Sequence, residues 1–261
     1  MTRTERTITF REREFKGSRL RCLLLTSQTA ESVTEFYNSL VSPHASVTPD
    51  DHWAPRGFLE PDEARLGETT GFLREADRDV VTRWWLAQWG RANTPNWDLV
   101  STCRINDVPG LILVEAKAHE AELADDQCGA TNRDNFQQIE KALGEAMVAW
   151  NALAPGFVLS ANTHYQLGNR FAFAWKLAKM GVPVVLVYLG FIDAQEMGIG
   201  DRALLKDHTQ WRRCVLTRSE GVIPDDVWDK TFHVDGTPLT VLIRSAVVDI
   251  NARTLTSASK S

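Results

Sequence analysis

Three residues in the middle of the chain, Asp98, Glu115 and Lys117, have side chains suited to chemistry on a phosphate. Two runs rich in Leu, Ile and Val, residues 99–105 and 111–114, lie between them and have the composition of strands. The residues that separate the two runs include Asn, Asp, Pro and Gly, which favour turns. The pattern therefore predicts a β-hairpin that brings the three side chains to one end.

The alternation of side chains along a strand predicts which of these residues converge. A turn about residues 107–108 would place Asp98 opposite Lys117, with Glu115 beside them. Glu115, Lys117 and His119 would share one face of the second strand. Charges held side by side against a core cost free energy unless they are paired or bind an ion. Two carboxylates and an amine at this place therefore require a cation or an ion pair.

The donor types indicate what the cluster would bind. Asp98 and Glu115 offer the carboxylate oxygens that Mg²⁺ or Mn²⁺ prefers. Lys117 would orient or deprotonate a water, because a partly buried lysine readily lowers its pKa. A divalent cation, a positioned water and a lysine are the parts of a site that hydrolyses phosphodiesters. The alternative is a plain ion pair of Lys117 with Asp98 or Glu115 at a strand end.

Polar residues in a predicted helix over residues 163–180 form a second group. Gln166, Asn169 and Arg170 stand at i, i+3 and i+4, so they share one face near the start of the helix. They can hold a phosphate backbone or order the Glu-x-Lys residues. For Gln166 alone, a capping box with Thr163 is the alternative explanation.

Two further candidates, His119 and Glu122, lie just after the second strand of the hairpin. Glu122 could support a cation-bound water or pair with His119. His119 itself is either a metal ligand or a polar residue that ends the strand. Both residues are therefore included as supporting members of the predicted site.

The arrangement of Asp98 at the start of one strand and Glu115-x-Lys117 on the next resembles the PD-(D/E)xK nuclease superfamily. The resemblance extends over residues 75–191 through the order of the predicted elements. It implies a restriction-endonuclease-like fold, in which a mixed central sheet is flanked by helices. It also implies metal-dependent hydrolysis of phosphodiesters in DNA or RNA, with Mg²⁺ or Mn²⁺ held by Asp98 and Glu115.

Other parts of the sequence bear on this resemblance. Trp97 stands before Asp98, where the family motif has proline. Many members carry a Gln-containing helix after the Glu-x-Lys strand, and Tyr-Gln-Leu-Gly-Asn-Arg at 165–170 is similar to a pattern in an uncharacterised bacterial group of the superfamily. By the same resemblance, the helix before the Asp strand offers Glu75 to the metal. The alternative for Glu75 is an exposed helix face or a partner of the helix dipole.

The order of predicted elements indicates a single α/β domain over residues 1–261. Its parts are an N-terminal extension (1–70) with a strand at 19–26 and a loop-rich connector, a core (71–191), and a C-terminal helix and strand (192–261). Periodicity predicts helices over 30–40, 73–89, 134–153, 163–180 and 201–217, and strands over 157–160, 184–189 and 239–250.

Composition limits the classes of protein to which the chain can belong. Its 43% hydrophobic and 24% charged residues are typical of a globular protein with a sizeable core. No apolar run approaches the roughly 20 residues that span a bilayer, and the N-terminus lacks the apolar core of a secretory signal. The four cysteines are widely spaced and form no Cys-x-x-Cys pair, which predicts reduced thiols in a cytoplasmic protein.

The net charge of −5 argues against non-specific coating of nucleic acid but allows a local basic groove. The candidates for that groove, which are otherwise ordinary surface residues, are Arg3, Arg6, Arg11, Arg13, Lys16, Arg19, Arg21, Arg212 and Arg213. Nucleic acid is the expected partner, and the final strand allows a homo-oligomer interface. A catalytically inactive binding or scaffold protein with the same fold is the main alternative, and a hydrolase of small phosphorylated substrates is a third.

Overall fold

The helices and strands are described by a computed structural model over residues 16–90, 92–198 and 204–250. The helices are α1 (Gly17–Thr26), α2 (Ala30–Val41), α3 (Glu75–Trp85), α4 (Arg133–Leu153), α5 (Tyr165–Lys179) and α6 (His208–Ser219). The strands are β1 (Trp53–Ala54), β2 (Ala64–Arg65), β3 (Asn96–Trp97), β4 (Leu99–Ile105), β5 (Val108–Lys117), β6 (Val184–Ile192), β7 (Lys230–Val234) and β8 (Thr237–Val247).

Six strands form one mixed sheet in the order β1-β4-β5-β6-β8-β7, and β2 pairs with β3 separately. The central strands β5, β6 and β8 are parallel, whereas the outer pairings are antiparallel. β6 is buried along almost its whole length, as its continuous apolar sequence predicts for a strand covered on both faces. The predicted mixed sheet flanked by helices is therefore confirmed at this level.

The predicted hairpin is confirmed, with a shift in its turn. Asn106 and Asp107 both have positive φ, 48° and 63°, which is the conformation of a tight two-residue hairpin turn. Leu99 pairs with Val114, so the position before Leu99 lies beside residue 115 and not beside 117. A shift of two residues keeps every side chain on its predicted face, whereas a shift of one would reverse the faces.

Helices cover both faces of the sheet. α3, α4, α5 and α6 pack on the face that carries the odd-numbered residues of β5, such as Leu111 and Leu113. α1 and α2 pack on the opposite face, against Ile112, Val114 and Ala116. Glu115 and Lys117 therefore point toward the side on which α5 lies.

The predicted strand at 19–26 is wrong, because these residues form α1. Leu and Arg are strong helix formers, and the helix buries Leu20 and Leu23 on one side. The helix also places the buried guanidinium of Arg21 against the carboxylate of Glu196, far along the chain. This pairing is non-local, so local periodicity cannot predict it.

Other boundaries differ where a side chain ends an element. α3 stops at Trp85 rather than 89 because Asn135 binds the backbone of Gln88 through both its amide oxygen and its amide nitrogen, at 2.7 and 2.8 Å. α6 begins at His208 rather than 201, since the Asp207 side chain caps it. No strand forms over 157–160, and β7 was not predicted.

Within the described residues, none of the helices has the length and apolar character that crossing a bilayer requires.

Two glycines allow a matched test of this packing. A Cβ at Gly190 would lie 2.5 Å from the buried ring of Trp211, whereas a Cβ at Gly144, inside α4, meets nothing within 4 Å. We expect Gly190→Ala to lower the free energy of unfolding by about 1–3 kcal/mol, because the ring has no room to move. Gly144→Ala should raise it by about 0.5–1 kcal/mol. Urea unfolding measures both, and equal stability of Gly190→Ala and the parent would contradict the packing.

Candidate active site

The predicted catalytic residues meet at the carboxyl end of β5. Glu115 and Lys117 lie beside Tyr188 and Gly190 of the parallel strand β6. Asp98 lies between β3 and β4, and its Oδ2 accepts a hydrogen bond from the backbone N–H of Ala116, at 2.7 Å. The first carboxylate is therefore fixed to the centre of the Glu-Ala-Lys motif, as the hairpin prediction requires.

Glu115 is the most heavily paired side chain of the group. It is 1% exposed, with Oε1 2.5 Å from Lys117 Nζ and Oε2 accepting from Arg170 Nε at 2.6 Å. Burial alone would raise the pKa of Glu115, but the charges of Arg170 and then Lys117 hold it below its ordinary value. Glu115 is therefore ionised and shared between two cations.

Arg170 reaches this carboxylate from α5, as predicted. Its Nη1 donates to Asn169 Oδ1 at 2.8 Å, and its guanidinium lies over the ring of Trp97, 4.5 Å from the centroid. The side chain is buried, so it cannot reach a phosphate on the surface. Of the two roles considered for Asn169 and Arg170, the geometry favours ordering of Glu115.

Gln166 holds the lysine. Lys117 Nζ donates to Gln166 Oε1 at 2.8 Å. The alternative explanation for Gln166, a capping box with Thr163, does not hold, because the Asp126 carboxylate accepts from the backbone N–H of Gln166 at 3.0 Å. A distant carboxylate caps α5 and leaves the Gln166 side chain free for Lys117.

The pKa of Lys117 is raised, whereas the sequence predicted that burial would lower it. Burial would lower its pKa, but Glu115 and Asp98 outweigh burial and raise the pKa above the ordinary value. The ammonium is therefore charged at neutral pH. It can orient a water or stabilise negative charge, but the expected deprotonation of a water by a neutral Lys117 is not supported.

Asp98 is in the opposite situation from Glu115. Burial, followed by the like charge of Glu115, raises its pKa to about 8, and Lys117 offsets only part of this. Among the described residues, the hydrogen bond from Ala116 is the one contact that stabilises its ionised form by direct donation. The site thus contains one carboxylate with two cations and one that lacks a cation of its own.

The supporting residues His119 and Glu122 do not join the cluster. His119 is buried, but its Nδ1 accepts a hydrogen bond from the backbone N–H of Ala121. This contact fits the alternative in which His119 is a polar residue that ends the strand. Glu122 Oε2 accepts from Ala118 N–H and Ser18 Oγ, on the side of α1. Both contacts are structural.

Glu75 also lies away from the site. It is exposed at the first turn of α3, whose neighbouring residues Arg74 and Asp77 line a cavity with Leu111, at the start of β5. The site occupies the other end of that strand. Glu63 lies nearer to the site than Glu75, since its charge contributes to the raised pKa of Asp98. The Glu63 carboxylate accepts hydrogen bonds from Arg19 and Asn96.

The two carboxylates fit a hydrated divalent cation. Mg²⁺ commonly binds through one or two carboxylates and keeps several waters. Asp98 lacks a cation, and Glu115 would have to release one of its ion pairs to serve as a second ligand. In the described part of the chain, no group of three or more His, Cys, Asp and Glu side chains is arranged to hold a metal. A divalent cation at this place would have Asp98 and Glu115 as its carboxylate donors and would take its other ligands from water.

Of the nine candidates for the basic groove, Lys16 and Arg213 are exposed, and the other seven lie outside the described residues or pair within the protein. Arg3, Arg6, Arg11 and Arg13 lie outside the described residues. The three other arginines that form ion pairs bind carboxylates of the protein itself, Arg19 with Glu63, Arg21 with Glu196 and Arg212 with Asp229. The site instead opens into a cavity of about 30 Å³, lined among others by Lys117, Gln166 and Tyr188.

Sequence reasoning missed Trp97 as the support of Arg170, Asp126 as the cap of α5, and Glu63 and Tyr188 as neighbours of the carboxylates. Tyr188 shares a cross-strand position with Glu115, which only the parallel register reveals. Trp97 stands where the motif of the resembled family has proline. Its contact with the Arg170 guanidinium explains a tryptophan at this position. For Asp126 and Glu63 the sequence carries no comparable signal.

No model of a known protein family, no curated protein sequence and no solved structure matches this chain. Any assignment of activity therefore rests on the geometry of the site.

Removing the charge of Glu115 tests the central ion pairs. Glu115→Gln should lower the free energy of unfolding by about 3–5 kcal/mol, because two buried cations lose their shared partner. Glu68→Gln, which weakens an exposed pair with Arg65, should change it by less than about 1 kcal/mol. Chemical unfolding of both variants measures the difference, and equal effects would contradict the buried network.

Asp98 should give the protein a specific dependence on pH. A carboxyl whose pKa is about 8 when folded and about 4 when unfolded binds its proton more tightly in the folded state. Its ionisation therefore destabilises the fold progressively as pH rises from about 4 to about 8. In EDTA, Asp98→Asn should raise the Tm clearly at about pH 8.5 and little at about pH 4.5. The same shift in Tm at both pH values would show that the pKa of Asp98 in the folded protein is not raised.

Proposed function

We propose that this protein is a metal-dependent phosphodiester hydrolase of the PD-(D/E)xK type, with a restriction-endonuclease-like fold, and that it acts on DNA or RNA. The observation that carries the proposal is the convergence of Asp98, Glu115 and Lys117 at one end of β5, with Asp98 bonded to the backbone inside the Glu-Ala-Lys motif. A mixed sheet with helices on both faces is compatible with that fold.

In this proposal Asp98 and Glu115 hold Mg²⁺ or Mn²⁺. Such a cation would supply positive charge that stabilises the phosphate during hydrolysis. Asp98 would attract the cation more strongly than Glu115, because no cation in the described part of the protein is paired with the ionised form of Asp98. Glu115 contributes the oxygen that it now shares with Lys117.

Lys117 orients the attacking water and stabilises the negative charge that develops on phosphate oxygens. Its raised pKa keeps it in the charged form that this role needs. Gln166 fixes the direction of the ammonium through the hydrogen bond to Oε1. Arg170 and Asn169 act through Glu115, which they hold in place from α5.

Specific observations favour a second candidate, an inactive binding or scaffold protein. Both oxygens of Glu115 already face cations, Lys117 and Arg170, and Asp98 can keep its proton, so the network needs no metal. An ion-pair network of this kind can be retained for structure alone. The two candidates differ in whether divalent cations bind.

The lysine provides the test of activity. With Mn²⁺ and single- or double-stranded DNA or RNA, Lys117→Ala should lower the rate of cleavage about 10²-fold or more, since a charged donor at the reacting group is lost. Lys179→Ala, which removes an exposed lysine at the other end of α5, should leave the rate unchanged. Equal rates for Lys117→Ala and the parent would remove Lys117 from the mechanism.

The same preparations separate the two candidates without an assay of cleavage. A cation that binds only the folded protein raises stability by about 2.7 kcal/mol at roughly 100 times its dissociation constant. Thermal melts with Mn²⁺ should therefore show an increase in Tm that Asp98→Asn abolishes. No increase in the parent, together with no cleavage, would favour the scaffold.

A further inference from the structure

The cavity beside the site has buried polar atoms that its protein neighbours do not satisfy. Glu115, Lys117, Gln166 and Tyr188 are among the residues that line it. Its volume of about 30 Å³ exceeds the roughly 10–15 Å³ that a cavity needs to hold one water molecule. It is too small for a nucleotide, so a ligand that fits it is smaller than the substrate.

Tyr188 is the unexplained member of this group. Its side chain is 2% exposed, and its hydroxyl has no hydrogen-bond partner among the described residues. The ring packs against Phe171 and Trp228, with the Trp228 centroid 5.1 Å away. A phenol carries its proton at neutral pH, so the Tyr188 hydroxyl is a hydrogen-bond donor.

Glu115 Oε1 is a complementary atom on the neighbouring strand. Residues 115 and 188 are direct partners in the parallel register. Oε1 lies 2.5 Å from Lys117 Nζ, but within the described part of the chain it receives no well-directed hydrogen bond. Tyr188 Oη thus lacks an acceptor among the residues that the structure describes, and Glu115 Oε1 on the adjacent strand can accept a further hydrogen bond beside its ion pair with Lys117.

We propose that this cavity binds one ordered water molecule shared by Tyr188, Lys117 and Glu115, and that Tyr188 is a water-binding residue of the active site. A buried water needs two to four polar partners, and these three residues supply them. The hydroxyl and the ammonium donate to the water, and Glu115 Oε1 accepts from it.

The consequence for the reaction rests on the proposed function. A water held here touches Lys117, the residue that is expected to orient the attacking water. Tyr188 would fix the second contact and so limit the orientations of that water before substrate arrives. Loss of the hydroxyl should affect turnover more than substrate binding, because Tyr188 is buried and cannot contact a substrate at the surface.

Tyr188→Phe removes only the hydroxyl and provides the experiment. Crystal structures of the parent and of the variant, at a resolution that shows ordered water, should differ in one density peak. The parent should show a water within hydrogen-bonding distance of Tyr188 Oη and of Lys117 Nζ or Glu115 Oε1, and the variant should lose it. The kcat of the variant should fall about tenfold with little change in KM.

Tyr37→Phe is the matched control. Tyr37 is equally buried, but its hydroxyl donates to the carbonyl oxygen of Val100 and it packs on the other face of the sheet. Its substitution should leave the water in the cavity and the kcat unchanged.

A parent structure without a water in this position would overturn the proposal even if the protein cleaves nucleic acid. A water that persists in Tyr188→Phe, or an unchanged kcat in that variant, would overturn the role of Tyr188. If the parent cleaves nothing, the proposed function fails, and the density in the two crystals still decides whether Tyr188 binds the water.

Discussion

The carboxylate of Glu115, buried and shared by Arg170 and Lys117, is the interaction on which this structure depends. A single buried charge is costly, and the two cations around this carboxylate offset that cost. Asp98, just before β4, is tied to the same place by the hydrogen bond from the backbone N–H of Ala116. The pairing therefore joins β4, β5 and α5 at one point of the sheet.

The neighbouring elements follow from the need to hold these charges. Arg170 requires a buried position on α5, and the ring of Trp97 and the amide of Asn169 surround its guanidinium. The start of α5 is capped by Asp126, from the segment that follows β5, and this leaves Gln166 to bind Lys117. The fold thus uses a long-range polar contact at a helix start, where caps from neighbouring residues are common.

Sequence reasoning succeeded where a pattern is local. The hairpin, α2, α4, α5 and the buried strand β6 all carry their own periodicity or turn residues, and the face shared by Glu115 and Lys117 follows from alternation. It also placed Arg170 toward the hairpin, because i, i+3 and i+4 spacing defines one stripe of a helix.

Sequence reasoning failed where contacts with distant residues determine the local structure. Residues 19–26 carry the apolar run of a strand, but packing against the sheet and a pair with Glu196 make them a helix. Thr163 fits a cap by spacing, whereas Asp126 fills that place from outside the helix. The lowered pKa expected of Lys117 assumed burial alone, and the number of carboxylates around it reverses the sign.

The two carboxylates also show why proximity alone does not define a metal site. Side by side, they have unequal surroundings, and their pKa values move in opposite directions. Glu115 is stabilised without metal, so its ion pairs compete with any cation that approaches. A cation would stabilise the ionised form of Asp98 without displacing an existing ion pair, because burial and Glu115 both oppose that charge. A divalent ion would therefore be attracted chiefly through Asp98, and the affinity would depend on how readily Lys117 leaves Glu115.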